Sequence, residues 1–166
     1  MQKQKPLWLE KKLIEPGALE KAVRLLRKNG GTIATLNGSF DLMHAGHLYM
    51  ISQAKLQADY LIVALNSDQS IRQYKSSDRP IVSLEYRLEM MAALEFVDYV
   101  TWFDEADPRQ FILKVKPDVH VNGVEYGEKC VEAPAVIACG ARLHLVPRIP
   151  SLSTSELIKK IRQCVI

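Results

Sequence analysis

A chain of 166 residues with 48% hydrophobic side chains fits one domain around one core. Its net charge of +3 is too mild to indicate a nucleic-acid partner and suits a small anionic substrate. No apolar run reaches membrane-spanning length, and the polar, basic stretch Met1 to Lys12 lacks a signal-peptide pattern, so no membrane association and a cytoplasmic location are expected. Cys130, Cys139 and Cys164 form no CxxC pair and are odd in number, which argues against a disulfide framework and a structural zinc site. They read as small apolar or partly exposed thiols, and no metal-ligand set is assigned.

In chain order, residues 1–17 read as an N-terminal extension, disordered over Met1 to Pro6, and residues 18–166 as the domain. Leu19, Val23 and Leu26 fall at helical spacing, which predicts a helix from Pro16 to Lys28, stopped by Asn29-Gly30-Gly31. Ile33 to Leu36 is an apolar run of the buried-strand type, and Leu48 to Leu56 reads as a helix. Tyr60 to Leu65 is a second strand; Asn66-Ser67-Asp68 caps a short helix running toward Tyr74. Gln73 to Pro80 is a polar loop, and Ser83-Leu84-Glu85 opens a helix through Leu94. Val97 to Trp102, Val119 to Val121 and Arg142 to Val146 read as strands. Between and after them lie helices at Pro108 to Lys114, Glu132 to Cys139 and Ser155 to Gln163. Trp102 and Phe103 are expected in packing rather than as a stacking platform. The alternation predicts an α/β fold: one Rossmann-like, doubly wound sheet of five mainly parallel strands with helices on both faces.

Between the first strand and its helix lies Asn37-Gly38-Ser39-Phe40-Asp41-Leu42-Met43-His44-Ala45-Gly46-His47. A glycine-bearing turn there aims backbone N–H groups and the positive end of the helix dipole at one point, which suits phosphate. His44 and His47, three residues apart, share a face once the helix starts, and Gly46 allows close approach. Ligands of such sheets lie beyond the carboxyl ends of the strands. The other polar signals obey that rule. Lys75 and Arg79 follow the second strand, Asn122-Gly123-Val124-Glu125-Tyr126 the fourth, and Arg148 to Ser155 the fifth. Ser153-Thr154-Ser155-Glu156 is a local capping motif. Arg87 is expected to pair with Glu85 or Asp98 and is assigned no site role.

The His44-Ala45-Gly46-His47 segment carries the HxGH signature of the nucleotidyltransferase superfamily, and its surroundings resemble the cytidylyltransferase-like branch. Within that branch the chain is most similar to the adenylyltransferase domain of bacterial ADP-heptose synthesis. The likeness rests on Asn-Gly-x-Phe-Asp, Ile62 to Asp68, Arg79-Pro80, Leu94-Glu95-x-Val97-Asp98, Lys116-Pro117-Asp118 and the terminal Ser-Thr-x-x-Leu-Ile-x-Lys-Ile. Arg148 to Ser155 is similar to the family's RTEGISTS segment, with Pro150-Ser151 where the family often has Glu-Gly. The family's Lys-Gly-Gly-Asp-Tyr is here Asn122-Gly123-Val124-Glu125-Tyr126, a lost positive charge.

The resemblance implies transfer of AMP from ATP to D-glycero-D-manno-heptose 1-phosphate, with glycerol-3-phosphate cytidylyl transfer from CTP, or a non-catalytic nucleotide-binding module, as alternatives. It implies His44 and His47 as catalytic. It implies Asn37, Gly38, Ser39, Phe40, Gly46, Asn122, Gly123, Arg148, Ser153 and Thr154 at the nucleotide, and Asp41, Lys75, Arg79 and Glu125 at the acceptor substrate. Mg²⁺ is expected to arrive with the triphosphate, and a homodimer is expected. Asn122 is expected to face a phosphate.

Overall fold

A computed structural model describes residues 5–28, 30–150 and 152–164. Five parallel strands form one sheet: β1 (Ile33–Gly38), β2 (Tyr60–Asn66), β3 (Tyr99–Phe103), β4 (Val119–Gly123) and β5 (Arg142–Val146). Their order is β3-β2-β1-β4-β5, so the winding reverses between β1 and β4. β1 is the central strand because it is apolar on both faces, with Ile33, Ala34 and Leu36 fully buried. β5, at the edge, has only Val146 buried.

Strand alternation divides the apolar side chains between two layers. On one face Leu36, Leu61, Val63, Leu65 and Val100 meet helices α1 (Leu7–Lys12), α3 (Ala45–Lys55) and α5 (Leu84–Ala92). On the other, Ile33, Ile62, Ala64 and Phe103 meet α2 (Leu19–Lys28), α6 (Arg109–Val115) and α7 (Ala133–Ala138). The short helix α4 (Asp68–Tyr74) buries Ile71, while α8 (Thr154–Cys164) buries nothing. The predicted doubly wound sheet is therefore present, with every strand pair parallel.

The extension expected over residues 1–17 is not separate from the domain where it is described. α1 places Leu9 in the core, Leu13 bridges to Val100, and the backbone N–H of Ile14 donates to the Val100 carbonyl at 2.8 Å. Apolar Leu7, Leu9, Leu13 and Ile14 interleaved with charged residues make this segment amphipathic enough to cap the sheet. Of the stretch expected to be disordered, residues 1–4 lie outside the described residues, and so does Asn29 of the predicted helix stop. Helix ends otherwise shift by one to three residues: α3 starts at Ala45 rather than Leu48, which puts Gly46 and His47 in its first turn. Ser67 caps α4 as expected, its hydroxyl accepting from Ser70 N. Trp102 and Phe103 pack, as expected, against the two cores.

Candidate active site

The carboxyl end of β1 runs into a turn whose backbone is forced. Gly38 has φ +153°, and a Cβ there would stand 3.1 Å from the Phe40 ring. Phe40 itself sits at φ +45°, an uncommon conformation for a bulky residue, and is held there by burial of its ring. That ring meets His47 edge-on, with centroids 5.3 Å apart. The turn thereby delivers His44 to the N-cap of α3 in an extended conformation and His47 to the first turn.

The two imidazoles stack at 3.9 Å between centroids. A methyl group on Gly46 would come within 3.0 Å of His44 Cε1 and Nδ1, so glycine is what lets the His44 ring lie there. Burial, then Arg148, lowers the His44 pKa. Burial, then His44 and Lys75, lowers that of His47 to about 4. Both pKa values lie below the ordinary 6.5, so both rings are predominantly neutral at pH 7, and double protonation at this distance would cost about 4 kcal/mol of repulsion at an effective dielectric of 20. Nδ1 of each ring is buried without a hydrogen-bond partner among the described residues. The N–H groups opening α3 join these rings around one point, an arrangement that favours an anion.

Basic side chains surround that point. Lys75, just past α4, donates from Nζ to Ser39 Oγ at 2.9 Å. Arg148, after β5, is exposed and acts electrostatically on His44 and on Tyr126. Leu152, four residues on, lies over Gly46. Thr154 Oγ1 makes a long 3.5 Å contact to the Leu42 carbonyl, and Ser153 Oγ accepts from Glu156 N at 3.1 Å. The capping reading of this segment thus holds, and the segment also covers the start of α3. Ser151, within the stretch that departs from the family pattern, lies outside the described residues.

Asp41 and Arg79 come together, but with each other. Arg79 Nε donates to Asp41 Oδ2 at 2.6 Å, and the N–H groups of Ile81 and Val82 donate to the same carboxylate at 2.8–3.0 Å. Burial pushes the Asp41 pKa up, but these N–H groups and the guanidinium outweigh it and hold it below the usual carboxylate value. Asp41 is fully buried and saturated, so its carboxylate fixes loop 79–82 rather than facing substrate. Arg79 Nη2 is buried without a hydrogen-bond partner among the described residues.

Sequence reasoning missed two residues. Arg87, expected to pair with Glu85 or Asp98, is instead fully buried. It donates to the carbonyls of Val82, Ser39 and Asn66 and to Asp68 Oδ1, at 2.7–2.9 Å. It therefore ties the histidine loop, the end of β2 and loop 79–82 into one body; Asp98 is taken by Lys55. A charged residue at an otherwise apolar helix position was the available signal. The second is Glu132, just before α7, whose buried carboxylate accepts from Asn122 Nδ2 at 3.2 Å and Asn37 Nδ2 at 3.4 Å. Asn122 Oδ1 accepts from Gly123 N at 2.9 Å. Asn122 therefore turns its donor to a carboxylate, which does not fit the expectation that it faces a phosphate. Glu125, in the 3₁₀ turn after β4, folds its carboxylate back over Gly123.

All the predicted segments thus meet at the carboxyl edge of the sheet, around the β1/β4 reversal. Among the described residues no group of three or more His, Cys, Asp or Glu is placed to hold a metal ion, and no helix is long and apolar enough to cross a membrane.

A cytidylyltransferase-like sequence profile matches residues 35–160. The chain is 37% identical over 149 residues to "Bifunctional protein HldE" of Marinomonas sp., covering 89% of this chain and 31% of that protein. It is 41% identical over 138 residues to the protein of the same name from Pseudomonas entomophila, covering 82% and 29%. The chain thus spans less than a third of the length of these relatives. A solved structure, the lipopolysaccharide core biosynthesis protein from Thermoplasma volcanium, superposes with a TM-score of 0.59 at 27% identity, over 72% of this chain and 98% of that one. Because the profile runs from inside β1 into α8 and takes in both histidines and every strand end described above, the chain belongs to the cytidylyltransferase-like family.

Proposed function

We propose that this chain is an adenylyltransferase that transfers AMP from ATP to a sugar phosphate, D-glycero-β-D-manno-heptose 1-phosphate, releasing pyrophosphate. The observation that carries the reading is the stacked His44–His47 pair at the N-terminus of α3, with Lys75 and Arg148 around it. The choice of adenylyl and heptose rests on similarity to the HldE proteins.

In this reaction an oxygen of the sugar phosphate attacks the α-phosphorus, the bond to the bridging oxygen breaks, and pyrophosphate leaves in line. The chain needs only to position both ligands and stabilise charge that builds on the phosphoryl oxygens. The neutral imidazoles of His44 and His47 donate hydrogen bonds to those oxygens without first losing a proton, and the opening N–H groups of α3 add to them. Arg148 and the start of α8 hold the departing pyrophosphate, with Ser153 and Thr154 supplying hydroxyls; Lys75 holds the acceptor phosphate. Asp41 and Arg87 act on these groups only through the loops they fix. Mg²⁺ would arrive with the triphosphate and offset part of its charge, and no side chain of this chain is assigned to hold it. A homodimer and a cytoplasmic site of action belong to the same proposal. The exposed Leu7 and Trp8 of α1 support the first.

The test is pyrophosphate release with ATP and with CTP, each against heptose 1-phosphate and glycerol 3-phosphate. Turnover with ATP and the heptose supports the proposal; turnover with CTP and glycerol 3-phosphate replaces it with a cytidylyltransferase. Release with no pair refutes an enzyme and leaves a binding module.

A further inference from the structure

The crevice is not uniform in charge. Its α3 side carries the imidazoles and Lys75, whereas its α7 side carries the Glu132 carboxylate, with Glu125 folded over Gly123 beside it. An ionised carboxylate only accepts hydrogen bonds, so both amides facing Glu132 must present their NH₂ groups to it. Their carbonyl oxygens are thereby turned away. That of Asn122 is taken by Gly123 N, while Asn37 Oδ1 meets no donor among the described residues and stands at the end of β1, half-buried, where β1 and β4 part.

A phosphate on this side would meet an acceptor and two carboxylates, which together outweigh the exposed Arg148 guanidinium that reaches Tyr126 there. A hydroxyl group would meet an acceptor that lacks only a donor.

We propose that Glu132 is a specificity-determining residue: by fixing the Asn37 and Asn122 amides it reserves the α7 side of the crevice for the uncharged, hydroxyl-bearing part of a ligand and excludes phosphate from it. This rests on the transferase reading only for the identity of the ligand, which is either the acceptor sugar or the ribose of the nucleotide. A lysine at position 122 would instead place an ammonium beside Glu132, pair with it and release the orientation of Asn37.

The test measures binding of three probes by calorimetry to the full chain and to two variants: heptose 1-phosphate, α,β-methylene-ATP and inorganic phosphate. Glu132→Gln replaces the acceptor by an amide and frees the orientation of Asn37; Asn37→Leu removes the carbonyl while leaving Glu132 in place. In both, the affinity for one hydroxyl-bearing probe should fall about tenfold, as for one lost hydrogen bond, while phosphate binds equally or more tightly. Loss confined to the heptose phosphate assigns the hydroxyls to the acceptor, and loss confined to the ATP analogue assigns them to the ribose. Near-native thermal melting of Asn37→Leu keeps the test valid if Glu132→Gln does not fold. The proposal is overturned if both variants leave the ratio of each probe to phosphate unchanged, or if the wild-type chain binds neither probe better than phosphate. Preferential binding without any pyrophosphate release in the wild type refutes the transferase reading while leaving this one standing.

Discussion

Replacing Asp41 by Asn tests whether the histidine loop depends on one buried carboxylate. The side chain keeps its shape, and Oδ1 can still accept from the N–H groups of Ile81 and Val82. Its amide, however, now points a donor at Arg79 Nε, where a carboxylate oxygen stood 2.6 Å away. Removing one partner of a buried ion pair costs about 3–5 kcal/mol, since the other charge is stranded. The Arg79 side chain retains 16% exposure against none for Asp41, so water relieves part of that charge and the lower end applies, about 3 kcal/mol.

Urea unfolding at pH 7 reads this directly, as a fall in midpoint at constant slope. Arg79→Met alone strands the carboxylate instead, and the double variant should recover part of the combined loss because neither charge is left alone. The sign with pH follows from the depressed pKa. The carboxylate's contribution is complete above its ordinary value of 3.8 and disappears as pH falls through the lower folded value, so wild type and variant should converge only below that point. A pH 7 stability of Asp41→Asn within about 0.5 kcal/mol of wild type would refute the account, since that is the scale of an indifferent surface change.

The remaining predictions concern the histidines and their supports. His44→Ala and His47→Ala should each lower kcat roughly a hundredfold or more, the scale for one preorganised donor, with melting temperature little changed; near-normal turnover in either removes that residue from the chemistry. Gly46→Ala should displace the His44 ring and lower kcat while triphosphate binding, measured by calorimetry, changes less; equal losses in both would show that the glycine serves binding alone. Burial lowers the pKa of His120 to about 4, as it does chiefly for His47, so the unfolded chain takes up protons from about pH 6.5 while the folded one resists. Stability should therefore decline as pH drops between those values, by up to about 3 kcal/mol per histidine, and His120→Gln should flatten the curve in urea titrations at pH 7, 5.5 and 4.5. Arg87→Met should destabilise and also raise KM for both substrates, because three carbonyls near the site lose their donor; a purely thermal effect would limit Arg87 to folding.

The sequence by itself determined the layered architecture and the address of the site. Unbroken apolar runs such as Tyr60 to Leu65 have one low-energy use, burial on both faces of a parallel sheet, and the helical spacing of Leu19, Val23 and Leu26 leaves little choice of face. The HxGH segment was readable because glycine, histidine and a helix start are local features whose chemistry depends on neighbours a few residues away. The packing of the N-terminal segment was not readable because it depends on Val100 of β3, far away in the chain, which bridges to Leu13 and accepts from Ile14 N. Charges were the least readable of all. Arg87 finds Asp68 and three carbonyls, Asp41 finds Arg79, and Asn37 and Asn122 share Glu132 across 95 and 10 residues of chain. A side chain's hydrophobicity travels with it, but the partner of a charge or an amide is chosen by whatever the fold places within hydrogen-bonding reach. Which face of the crevice accepts phosphate and which accepts a hydroxyl is accordingly a property of the tertiary structure.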